Sequence, residues 1–173
     1  THLLDEETGI YNISYLKRLF PEQEMALIKG VKRIQGIIVQ KGNPKGIQGI
    51  EDLRRVTYVN RQRGAGTRVL LDYLLKTAGI CPEEIDGYEK EAATHMAVAA
   101  MVKSGGADAG MGVYSAAHAM DLDFIPVGEE EYDFAIRKET LKLEEIRQFL
   151  HVLKSDEFRK KAEAAGGYDL AHT

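Results

Sequence analysis

An α/β fold on a mainly parallel sheet, with helices on both faces, is the class this sequence predicts. Three observations predict it. From Arg55 onward, β-branched runs of strand length alternate with apolar patterns of helical period, the order that parallel βαβ units require. Glycine is abundant, 17 residues beside 4 prolines, and many of these glycines fall at the turns between strands and helices. The chain has 173 residues, 44% apolar and 29% charged, which is enough to bury a core and too apolar for a disordered chain.

The elements follow in order. Residues Ile13 to Phe20 carry apolar groups at helical spacing, and Pro21 ends the pattern. Ala26 to Gln40 is β-branched and reads as extended. Lys41-Gly42-Asn43-Pro44-Lys45-Gly46 is a turn cluster, and Ile50 to Leu53 forms a short helix at most. Arg55 to Asn60 is a strand, Thr67 to Thr77 a helix stopped by Gly79, and Ile85 to Tyr88 a short strand. His95 to Lys103 is a helix closed by Gly105-Gly106, with Ala97, Ala100 and Met101 as its small-residue face toward a sheet. Ala107 to Val113, Phe124 to Val127 and Tyr132 to Ile136 are extended, with a short helix from Ser115 to Met120. Two helices, Leu143 to Leu153 and Asp156 to Ala165, break at Ser155; Phe149 and Leu150 mark the first as core-packing.

Composition excludes several function classes. With 23 Lys+Arg against 27 Asp+Glu the net charge is −4, so no global basic field favours nucleic acid. Cys81 is the one cysteine, which rules out an internal disulfide and a structural zinc site. No apolar run approaches the ~20 residues of a membrane span. No signal peptide is visible, which leads to the expectation of a cytoplasmic location. The histidines (His2, His95, His118, His151, His172) lack metal-binding spacing, and Ser104 and Ser115 lack a nucleophile-elbow setting. The run Glu129-Glu130-Glu131 beside Asp133 reads as a solvated edge. No catalytic residue, cofactor or metal is expected.

Three segments are candidates for a site, and two of them concentrate the glycines. In Val59-Asn60-Arg61-Gln62-Arg63-Gly64-Ala65-Gly66-Thr67-Arg68, a strand ends, glycines flank an alanine, and a helix starts at a hydroxyl residue. Unpaired first-turn N–H groups with small neighbours form an anion cradle; the plainer alternative is a tight turn with Thr67 as N-cap. Neither a Walker loop nor a dinucleotide fingerprint is present, because Gly64 and Gly66 are too close for the one and Val69 stands where the other needs glycine. In the second segment Thr94 is a plausible N-cap and His95 lies in the first helical turn, either at the surface or against a ligand. In the third, Gly110-Met111-Gly112-Val113-Tyr114 combines close backbone passage with a tyrosine at a strand's C-terminal end.

The string from Tyr58 to Arg68 resembles the NRQxGSGTR stretch of periplasmic-binding-protein-like (type 2) domains, which occur fused to molybdopterin-biosynthesis enzymes or helix-turn-helix regulators. Three further blocks agree in order: His2-Leu3-Leu4-Asp5 with Gly9-Ile10-Tyr11-Asn12, Gly42 to Gly46, and Gly106 to Gly112. The resemblance covers nearly the whole chain and extends distantly to molybdate- and tungstate-binding proteins. It implies two α/β lobes around a ligand cleft, with residues 41–131 as lobe two and residues 1–40 and 132–173 as crossovers and part of lobe one. It also implies that the first strands and helices of lobe one are missing before Thr1. Ala65 replaces the serine usual in the motif, which removes a hydroxyl donor.

Carried over residue by residue, Gly64, Ala65, Gly66 and Thr67 would offer amide donors to an oxyanion, and Thr94 and His95 a second helix N-terminus. Gly112, Val113 and Tyr114 would line the cleft floor, Tyr132 would donate its hydroxyl, and His2 would face them. Arg61 is the arginine singled out. The function implied is non-catalytic binding of a small ligand, an oxyanion such as molybdate or tungstate. The alternative is a ligand-sensing domain controlling a fused DNA-binding or molybdopterin-biosynthesis domain, without direct nucleic-acid binding by this chain.

Overall fold

A computed structural model describes residues 1–170. In chain order its elements begin with α1 (Ile13–Leu19), β1 (Met25–Val39), β2 (Tyr58–Arg61) and α2 (Gly66–Ala78). There follow β3 (Glu91–Ala92), α3 (His95–Lys103), β4 (Ala109–Val113) and α4 (Tyr114–Ala119). The last are β5 (Asp123–Arg137), α5 (Glu144–Leu153), α6 (Asp156–Ala165) and β6 (Tyr168–Asp169). Two compact units result, Thr1–Arg33 with Glu129–Thr173 and Ile34–Gly128, and both boundaries fall inside the long strands β1 and β5. Among the described residues no helix is long and apolar enough to cross a membrane.

The strand order is β3-β2-β4-β1-β5, and β6 pairs with β1. β2 runs parallel to β3 and β4, but β1 is antiparallel to β4, with Gln35 opposite Val113 and Gly36 opposite Gly112. The sheet is therefore mixed, not mainly parallel as expected from the alternation. That rule holds where a helix returns the chain, as α2 and α3 do between β2, β3 and β4. β1 and β2 are joined instead by loops and a single 3-10 turn, Ile50–Arg55, so no right-handed crossover fixes their direction.

In the central unit, strand alternation builds two buried layers. Ile38 and Val59 point to one face and cluster with Val98, Ala99 and Val102 of α3 and with Ala116 and Ala117 of α4. Their strand neighbours Ile37 and Tyr58 point to the opposite face, where α2 buries Leu70, Leu71 and Leu75. The buried stripe of α3 is thus Val98, Ala99 and Val102. Ala97 and Met101 are only partly buried, and Ala100 is exposed, because the helix is rotated from the expected face by about one position. The expected strand Ile85 to Tyr88 is a turn: Gly87, at φ +91°, breaks the extension. The Asp86 and Lys90 carbonyls still accept from Tyr58 and Asn60 N–H at 2.8 Å.

Three other expectations are reversed. Phe124 to Val127 and Tyr132 to Ile136 belong to one strand, β5, which runs straight through the acidic run. That run is not a solvated edge: Glu130 is 2% exposed and accepts from Arg33 Nε at 2.9 Å, and Glu131 pairs with Lys29. Strand alternation sets Glu130 on the face opposite Glu129 and Glu131, and of the three Glu129 stays most in water, in a pair with Lys32. Asn12 and Asp133 are likewise buried, and Asn12 Nδ2 donates to Asp133 Oδ2 at 2.9 Å. On α5 the buried side chain is Leu153, whereas Phe149 is 37% exposed, so that helix is not the core-packing one its apolar residues suggested.

Candidate functional site

β2 ends at Arg61, and the chain turns through Gln62 to Ala65 before α2 begins. Gly64 sits at φ +83°, a left-handed conformation that a residue with a side chain rarely adopts. The N-cap is Ala65, with extended backbone, and it offers no side-chain cap. Thr67 is therefore not the cap its hydroxyl suggested, since the helix starts one residue earlier at Gly66. Thr67 Oγ1 instead donates to Gln35 Oε1 at 3.1 Å, between two buried side chains. The N–H groups of Arg68 and Val69 both reach the Ala65 carbonyl, at 2.9 and 3.1 Å. Those of Gly66 and Thr67 have no acceptor among the described residues, although Thr67 is only 3% exposed. They carry the positive end of a 13-residue helix.

The start of α3 is built differently. Thr94 is its N-cap, as the sequence indicates, and its Oγ1 accepts from Ala97 N–H at 3.0 Å. His95 follows, half-buried. Arg61 reaches it from β2: Nη1 lies 3.0 Å from His95 Nδ1, Nη2 donates to the Ala93 carbonyl at 3.0 Å, and Nε to the Ala92 carbonyl at 3.3 Å. Gly112 lies beneath, and a Cβ there would stand 3.4 Å from His95 Nδ1 and 2.9 Å from Ile38 Cδ1. The carboxyl ends of the parallel strands β2 and β4 thus gather Arg61, Gly66, Thr67, His95, Gly112 and Val113 at one edge of the central unit. Open α/β sheets bind ligands at such an edge.

The other selected residues lie elsewhere. Gly64 lines a cavity of about 700 Å³ with Arg63, Arg68, Asp72, Tyr88 and Lys90. Several of its polar groups are paired within the wall, Tyr88 with Asp72 at 2.6 Å and Arg63 with Glu89 at 3.0 Å. Tyr114 begins α4, stacks on His118 at 5.8 Å between centroids, and meets Phe124 edge-on at 5.6 Å. His2 and Tyr132 belong to the terminal unit and stack on each other, with centroids 5.2 Å apart. Burial lowers the His2 pKa below the usual histidine value, although Glu130 opposes the shift. His172 lies outside the described residues. Sequence reading missed Gln35. Its signal was a lone amide in the otherwise apolar run Ile34 to Val39.

A mixed α/β sheet with helix N-termini converging at strand ends defines a small-ligand-binding class of fold. Within that class the chain belongs to the PBP superfamily, whose domain model matches residues 1–154. It is 41% identical over 174 residues to YvgK of Bacillus subtilis (strain 168), across 99% of this chain, and spans 56% of that relative's length. Among solved structures it is similar to a substrate-binding domain assigned to a molybdenum ABC transporter from Clostridium difficile. The TM-score there is 0.65 at 18% identity, covering 91% of this chain and 73% of the other. An ancestral amino acid-binding protein, a precursor of cyclohexadienyl dehydratase, gives a TM-score of 0.58 at 22% identity, covering 87% and 61%. Such identities establish the fold.

Proposed function

We propose that the chain binds a small anion without transforming it, at the edge where α2 and α3 begin, and that the anion is a tetrahedral oxyanion such as molybdate or tungstate. The observation that carries this reading is the pair of unaccepted N–H groups at half-buried Gly66 and buried Thr67, on the positive end of α2. An anion there completes hydrogen bonds that the fold leaves open. The Thr67 hydroxyl donates to an amide oxygen and not to a base, which supports binding over nucleophilic chemistry. The likeness in fold to a domain assigned to a molybdenum transporter supports the choice of oxyanion, and the likeness to an amino acid-binding protein names the competitor, a carboxylate.

Thermal unfolding in molybdate, tungstate, sulfate, phosphate and glutamate tests the assignment. Molybdate or tungstate should raise Tm progressively, by linkage equivalent to about 2.7 kcal/mol at a hundred times Kd. A shift with glutamate alone would replace the oxyanion by a carboxylate, and no shift with any of them would remove the site. A second reading makes the same site a sensor, in which a cytoplasmic chain controls a fused DNA-binding or molybdopterin-biosynthesis domain. The further length of YvgK beyond the matched part favours asking this. Sequencing the full reading frame decides it.

A further inference from the structure

The contact between Arg61 and His95 fixes more than position. A guanidinium has only donors, so at the 3.0 Å approach of Nη1 the His95 Nδ1 must be the acceptor. An acceptor nitrogen carries no proton, which leaves the ring N–H at Nε2, on the far side of the imidazole. The guanidinium is itself held by a fork: Nε and Nη2 donate to the consecutive carbonyls of Ala92 and Ala93, at 3.3 and 3.0 Å, immediately before α3. Arg61 is 9% exposed and Ala92 is buried, so the Nε arm of the fork is shielded from water, while Ala93 lies at the surface. Gly112 lies under the arrangement, where a Cβ would reach van der Waals contact with Nδ1 at 3.4 Å and crowd Ile38 Cδ1 at 2.9 Å.

We propose that Arg61 is a positioning residue that selects the Nε2–H tautomer of His95 and sets the ring as a fixed N–H donor at the start of α3. The consequence for ligands rests on the anion-binding reading above: with the N–H groups of α2, the edge presents donors, which suits acceptor-only oxygens. The tautomer itself does not depend on that reading and is measured without ligand.

The experiment is long-range ¹H–¹⁵N correlation spectroscopy of the ligand-free protein, with the His95 ring assigned by its loss in His95→Gln. The expected pattern is a single tautomer with the proton on Nε2 and an unprotonated Nδ1. In Arg61→Ala the single pattern should give way to one averaged over both tautomers. If that variant fails to fold, Arg61→Lys carries the test, since an ammonium cannot span two carbonyls and a ring nitrogen in one plane. A proton on Nδ1 in the parent protein overturns the proposal, as does an unchanged pattern in the folded variant. In molybdate titrations His95→Gln, which keeps an acceptor oxygen and an N–H donor, should hold affinity within about threefold, whereas His95→Leu should lose at least tenfold. Equal loss in both assigns the ring a packing role and overturns its role as donor. If the tautomer result stands while molybdate has no effect on the parent protein, only the ligand reading fails.

Discussion

The helices α2 and α3 begin at the edge where Arg61 of β2 meets His95, yet their first turns are capped differently. α3 has a side-chain cap, because Thr94 Oγ1 accepts from the Ala97 N–H at 3.0 Å. α2 starts behind an alanine, and its one nearby hydroxyl is turned away toward Gln35. A cap is worth about 1 kcal/mol, so leaving α2 open has a cost that packing of Leu70, Leu71 and Leu75 must offset. One helix has its third N–H taken by a side chain, and the other has no side-chain cap.

Three substitutions probe that difference, and the largest effect is expected from the strand both helices share. A Cβ on Gly110 would overlap Val98 of α3 and come within 2.8 Å of Val59 Cγ1 and 3.0 Å of the Val59 carbonyl. Gly110→Ala should therefore cost about 3 kcal/mol in urea unfolding; a loss below ~1 kcal/mol would mean that α3 can ride up off β4 without penalty. Thr94→Ala should cost about 1 kcal/mol, read by the same transition, by leaving the Ala97 N–H unaccepted. No loss would put α3 on the same footing as α2. Ala65→Ser should move the other way and stabilise the ligand-free protein by about 0.5 kcal/mol, seen as a higher Tm, because the backbone at Ala65 is already extended as a cap requires. If stability does not rise, the N–H groups of α2 are not open and the contrast fails.

Local chemistry was legible wherever a short stretch of chain carries the cause. Gly79, at φ +68°, ends α2 as its position after the apolar pattern suggests, and Thr94 caps α3 as its hydroxyl and position suggest. The Gly64-Ala65-Gly66 turn is also readable as a turn between strand and helix, and the structure adds that Gly64 is left-handed there. The start of α2 was misplaced by one residue, since a hydroxyl can cap or bond elsewhere, and only the presence of Gln35 on a distant strand decides which. The acidic run failed in the same way: a triplet of glutamates looks solvated until Arg33 and Lys29 from β1 arrive beside two of them.

By itself, then, the sequence determined the alternation of strands and helices, the glycine turns between them and the helix ends, because each depends on backbone freedom and hydrogen bonds within a few residues. Tertiary structure alone decided the direction of β1, the burial of Glu130, the turning of Thr67 toward Gln35, and the meeting of Arg61 with His95 across 34 residues of chain. Those outcomes turn on which partner a polar group finds once water is removed, and the partner lies far along the chain.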